Sequence, residues 1–125
     1  MSDEQIPEDI REFISRYIDS VGQLEALLIL RLRPEERWDL PTIAKRLYIS
    51  EGNARELLGP LCEHKLASCS DDTYWLAELN SEQKAIIDRL ADLYARRLIP
   101  VTNLIHSKTR RIREFANAFR LRKDK

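Results

Sequence analysis

Glycine, histidine and cysteine are all scarce in this chain of 125 residues, which holds three, two and two of them respectively. So few glycines leave no Gly-rich loop to cradle a phosphate. His64 and His106 stand apart from each other, and no HExxH or GxSxG motif is present, which removes the usual zinc-protease and serine-hydrolase arrangements. Cys62 and Cys69 make neither a disulfide framework nor a zinc-ligand spacing, and their first reading is a pair of packed thiols. A redox switch is the alternative, in which oxidation of a thiol beside a functional helix alters its packing; that reading asks for a depressed pKa. The longest unbroken apolar stretch, Ala26 to Leu30, falls far short of the ~20 residues that span a bilayer. The acidic opening Ser2-Asp3-Glu4 does not resemble a signal peptide. The expectation is a cytoplasmic protein that is not an enzyme, with no metal, no cofactor and no membrane partner.

What the chain does hold is apolar and charged residues in the proportions of a helix-rich globular domain, 43 % and 34 %. Its length suffices to bury a modest core without disulfides or metal, so one core is expected. Residues 1–80 carry nine Lys/Arg against sixteen Asp/Glu, while residues 81–125 carry twelve against five, an excess of seven charges of opposite sign in each part. Such asymmetry marks an interaction arm, or lets two ends of one assembly attract each other.

Pro7 stands at the start of a short amphipathic segment in which Ile10, Phe13, Ile14 and Tyr17 recur at helical spacing, a packing helix within residues 1–19. Ser20 can cap the next helix while Gln23 reaches back, and the run Leu24 to Leu32 is apolar on nearly every side, as a central buried helix requires. Pro34, Glu35, Glu36 and Arg37 end it in a polar connection. Asp39 caps a third helix from about Pro41 to Leu47, with Leu40, Ile43, Ala44 and Leu47 on one face. Ser50 caps a fourth, striped by Ala54, Leu57, Leu58 and Leu61, in which Gly59-Pro60 marks a kink or local irregularity. Only Tyr48-Ile49 separates these two helices. Leu66 to Cys69 and Tyr74 to Ala77 then read as strands of a hairpin around the polar turn Ser70-Asp71-Asp72-Thr73.

Two short helices joined so tightly resemble a helix-turn-helix, and the hairpin after them resembles its wing. The order of elements over about residues 20–80 resembles winged-helix bacterial regulators of the broad MarR-like kind. The resemblance implies a mainly α fold, a winged helix-turn-helix with a small β-hairpin and a long C-terminal helical extension. It also implies a transcriptional regulator that binds duplex DNA as a dimer. On that reading Asn53 and Arg55 hydrogen-bond base edges, and Lys45 and Arg46 on the preceding helix contact phosphates. The charges argue against it, because Glu51, Glu56 and Glu63 share the fourth helix and Asp71-Asp72 form the hairpin tip, a surface that duplex DNA repels. The competing expectation is a winged helix that binds a protein partner, with Trp38, Tyr74 and Trp75 as anchors.

Residues 81–125 form the helical arm. Asn80 caps it, with Gln83 three residues on, and Ile87, Ala91, Tyr94, Leu98, Val101 and Ile105 follow steps of four and three that resume at Ile112, Phe115 and Phe119. Ile86, Leu90 and Leu93 form a second stripe beside the first. Pro100 divides the arm into helices of about 82–98 and 100–120. As one rod, Glu82 to Arg120 would be roughly 58 Å long, more than a domain of this size covers. Either the arm folds back or another chain covers it. The regulators this chain resembles dimerise through terminal helices, which implies a homodimer seam at Ile87, Tyr94, Leu98, Val101, Ile105, Ile112, Phe115 and Phe119. Lys108, Arg110, Arg111 and Arg113 open a basic arm that can grip phosphates, pair with the acidic half or remain solvated.

Overall fold

The computed structural model describes residues 6–123, and their side chains except those of Ile112 and residues 118–123. The described chain is mainly helical: α1 (Glu8–Tyr17), α2 (Val21–Leu32), α3 (Leu40–Leu47), α4 (Glu51–Glu63), α5 (Ser81–Arg96) and α6 (Leu98–Lys123). Four of the helix starts are set by short polar side chains. Ser20, Asp39 and Ser50 accept from the backbone N–H groups of Gln23, Thr42 and Asn53, and Asn80 and Gln83 form a reciprocal capping box. The Asp39 carboxyl is held below its ordinary pKa chiefly by its hydrogen bond from Thr42.

The expected hairpin forms, with each strand displaced by one residue. It comprises β2 (Ala67–Ser70) and β3 (Thr73–Leu76), joined by Asp71 and Asp72 at φ 52° and 61°. Two consecutive left-handed residues make the turn whose twist matches a two-residue hairpin, and aspartate tolerates that region better than most side chains. A further strand, β1 (Trp38–Asp39), lies just after the polar connection, where the sequence marks only the Asp39 cap. It pairs antiparallel with β3, Trp38 opposite Tyr74, giving a three-stranded antiparallel sheet in the order β1-β3-β2.

The core is built around α2. Leu24, Ala26, Leu27 and Leu30 are fully enclosed, and one continuous cluster of buried side chains runs from Ile6 to Ile105. Packing is tight at Gly22, where a Cβ would come within 3.1 Å of Leu57 Cδ1 on α4 and the leucine would have to give way by a few tenths of an ångström. The neighbouring Gln23 is buried yet satisfied: its amide oxygen accepts from the Asp19 N–H at 2.7 Å and its Nε2 donates to the Leu57 carbonyl at 3.3 Å. Ion pairs fasten α5 to the first two helices, Arg89 to Asp9 at 2.6 Å and Arg31 to Asp88 at 2.8 Å. The Arg89 hydrogen bond lowers the pKa of the Asp9 carboxyl.

The arm breaks at Arg97, whose N–H reaches back to Leu93 O, and α6 starts again at Leu98. Pro100 occupies the first turn of α6, where its missing N–H is not needed by the helix. The first half of α6 folds back onto the domain: Val101 and Ile105 are fully buried, and Lys108 Nζ donates to the carbonyls of Ile14 and Ile18 at 3.0 and 2.9 Å. The last carbonyls of α1 thereby gain a cation, the favourable sign at a helix C-terminus. Thr109 donates to Asp19 O at 2.8 Å. From Arg110 to Asn117, every described side chain is exposed.

Ile105 and Leu98 therefore separate under truncation. Ile105→Ala should cost about 2–5 kcal/mol in urea unfolding, as for a buried methyl-rich side chain. Leu98, 51 % exposed, should tolerate alanine within roughly 0.5 kcal/mol. Equally small losses at both positions would show that α6 stands outside the core.

Candidate interaction surface on α4 and the hairpin

The outward face of α4 presents Glu51, Asn53, Arg55 and Glu56, all exposed, while Ala54, Leu58 and Leu61 bury the opposite stripe. Pro60 lies within the helix, where it withholds the N–H that would serve the carbonyl one turn earlier. Before α4, Tyr48 ends α3 in the left-handed region at φ 60°, and the Tyr48 and Ile49 N–H groups return to carbonyls of the last turn. Its side chain is 94 % exposed. A tyrosine at such a position is both conformationally disfavoured and unburied, and sequence reading passed over it as part of a short turn.

Hairpin and helix are joined at one point. The Leu40 N–H donates to the Asp72 carbonyl at 3.0 Å, anchoring the hairpin tip to the start of α3. The Asp72 carboxylate then accepts from Arg55 Nη2 at 3.1 Å. Arg55 is thus brought to the hairpin, as a winged reading would have it, but its charge is already met by an aspartate. The Tyr74 hydroxyl has its pKa raised by burial first and then by the Asp72 charge.

Lys45 and Arg46 are exposed on α3, and the Arg46 guanidinium lies 5.1 Å from the centre of the Trp38 ring. Arg37 lies 3.9 Å from the centre of the Trp75 ring. Both geometries fit cation–π stacking. Of the three aromatic anchors expected from sequence, Trp38 and Tyr74 are core residues, and only Trp75 keeps a partly open face. Burial of Trp38 is complete enough that its indole N–H finds no acceptor among the described residues. A large ring in a domain of this size is worth more inside than at the surface, which is why these two do not serve as docking anchors.

The arm residues divide. Lys108 does not belong to an open basic arm, because it is consumed by α1 and also pairs with Asp19 at 3.0 Å. Arg110, Arg111 and Arg113 are exposed. Of the expected seam, Ile87, Val101 and Ile105 are buried in the chain's own core, and Tyr94 donates its hydroxyl to Glu25 at 2.9 Å. Burial and that bond to Glu25 push the Tyr94 pKa up to about 12. Leu98 and Phe115 are exposed, and Ile112 and Phe119 lie outside the described side chains. Heptad spacing here serves the fold first: the same period that pairs two chains also lays one helix onto its own domain.

Among the described residues no group of three or more metal-ligating side chains comes together, and no helix is long and apolar enough to cross a membrane. No family profile, no curated protein and no solved structure matches the chain. Function must therefore follow from geometry and charge.

The Arg55–Asp72 pair is exposed on both sides, so it positions the side chain without contributing much to folding. Asp72→Asn should leave the urea midpoint unchanged while accelerating solvent exchange of the Arg55 side-chain N–H protons in NMR spectra. A large fall in the midpoint would mean that the pair holds the hairpin in place.

Proposed function

We propose that the chain is a winged-helix module of the kind used in transcription regulation, and that its α4–hairpin surface engages protein in preference to duplex DNA. The winged-helix part is supported by element order: a buried helix, a short strand, two helices joined by a tight turn, and a hairpin whose second strand lies centrally in the sheet. The choice of protein rests on one observation, the capture of Arg55 by the hairpin-tip aspartate. With Arg55 and Asp72 paired to each other, Glu51, Glu56 and Asp71 are the exposed charges left on α4 and the hairpin tip beside it. Phosphate binding draws on unpaired cations, and an acidic-rimmed helix offers few.

A partner suited to this face presents basic side chains to the carboxylates and an apolar edge to Tyr48. Exposed tyrosine is a frequent anchor of protein interfaces, carrying large contact area with few rotatable bonds. DNA binding is the second reading, favoured by exposed Lys45 and Arg46 and by the small cost of releasing Arg55 from an exposed ion pair. A homodimer enters the proposal only through what α6 leaves outside the core, Leu98 and Ile99 with the basic stretch beyond Thr109.

Fluorescence anisotropy with a generic duplex at low salt distinguishes the readings. Wild type should bind weakly or not at all, any binding should vanish on replacing Arg110, Arg111 and Arg113 together by serine, and Arg55→Ala should change nothing. Salt-sensitive binding that survives the triple change and is lost in Arg55→Ala would overturn the proposal in favour of a DNA-reading α4.

A further inference from the structure

Cys62 lies half-buried in the last turn of α4, and Cys69 is exposed on β2. The chain reverses sharply between them: Lys65 adopts φ 62°, its N–H donates to Cys62 O at 3.0 Å, and the Leu66 N–H donates to Leu61 O at 2.9 Å. That reversal packs β2 against the end of α4 and brings the Cys62 and Cys69 side chains close enough to interact. Burial first and the neighbouring Cys69 thiol second push the Cys62 pKa up to about 12, so Cys62 remains a protonated thiol. The depressed pKa that sequence reasoning asked of a redox cysteine is thus absent at Cys62, and the exposed Cys69 is the thiol that a dissolved oxidant meets first.

We propose that Cys62 and Cys69 form a dithiol that a hydroperoxide converts reversibly to a disulfide, locking the end of α4 to the first strand of the hairpin. The Cys69 thiolate attacks one peroxide oxygen, breaking the O–O bond; hydrogen peroxide leaves hydroxide, and Cys69 becomes a sulfenic acid. The Cys62 sulfur then attacks the Cys69 sulfur, forming the S–S bond and breaking the S–O bond, and its proton leaves with the departing oxygen as water. Two thiols give up two electrons in all, and one peroxide becomes two molecules of water. A thiolate can reverse the bond by exchange. Tyr74 stands opposite Cys69 in the ladder and interacts electrostatically with both cysteines as well as with Asp72 and Arg55. Because the disulfide would join α4 to the hairpin, its closure bears directly on the surface these two elements form, whatever that surface binds.

Lys65 lies between the two cysteines, so trypsin reads the bond directly. Dilute full-length protein treated with hydrogen peroxide, alkylated and digested should yield the peptides 56–65 and 66–84 joined to each other and separable by dithiothreitol. Both thiols should disappear at the same rate. In Cys62→Ser the sulfenic acid should accumulate on Cys69 and be trapped by dimedone, and in Cys69→Ser the joined species should be lost. Chains cross-linked through Cys69 alone, or Cys69 driven to sulfinic acid while Cys62 still alkylates, would overturn the proposal.

Discussion

Burial of α2 on nearly every side is the constraint from which the remaining geometry follows. An apolar helix of this kind is stable in water only when other elements cover it, and each enclosed leucine contributes about 1.5–3 kcal/mol toward that covering. In this chain α3, α4, β3 and the start of α6 all pack on α2. The packing of α4 on α2 is closely specified. Gly22 admits the Leu57 side chain, and Gln23 ties the start of α2 to the Leu57 carbonyl. A displacement of α4 would strand a buried amide, so the outward side chains of that helix stand at fixed positions relative to the hairpin.

Electrostatics then distribute what packing has placed. The acidic first part and basic last part of the chain partly neutralise each other within one molecule, through Asp9 with Arg89 and Asp19 with Lys108. Lys108 shows how a basic residue can be removed from the surface pool: its side chain is only 13 % exposed, and its ammonium group serves carbonyls of α1. The hairpin tip repeats the pattern with Asp72 and Arg55. Arg55 is the one cation within α4 and Asp72 holds it, while other exposed cations, among them Lys45, Lys65, Lys84 and Arg110, lie elsewhere in the chain, and this divides the two functional readings more sharply than overall charge does.

Local signals carried the sequence reading well where the physics is local. The serine, aspartate and asparagine caps open their helices as expected, and paired aspartates turn the hairpin, because each depends on side chains a few residues apart. What sequence did not disclose is long-range. The strand β1 is two residues long, too short for periodicity, and exists through its pairing with β3. The seam at Val101 and Ile105 has a spacing that fits an intermolecular or an intramolecular partner equally, and carbonyls at the end of α1, 94 and 90 residues before Lys108, decide between them. The Arg55–Asp72 pair and the contact of Cys62 with Cys69 arise from the same hairpin fold-back. Tyr48 was legible in principle, since a lone aromatic between two short helices in so tight a turn has little core within reach.

Native-state hydrogen exchange, followed amide by amide in the full chain, tests most directly whether one α2-centred core holds the arm and presents the α4–hairpin surface. The amides of α2 from Leu24 to Leu30 and those of α6 around Ile105 should exchange only through global unfolding, with the same opening free energy, while amides beyond Thr109 exchange faster. Opening of the Ile105 region at a much lower free energy than α2 would make the arm a separate unit and contradict the single-core account.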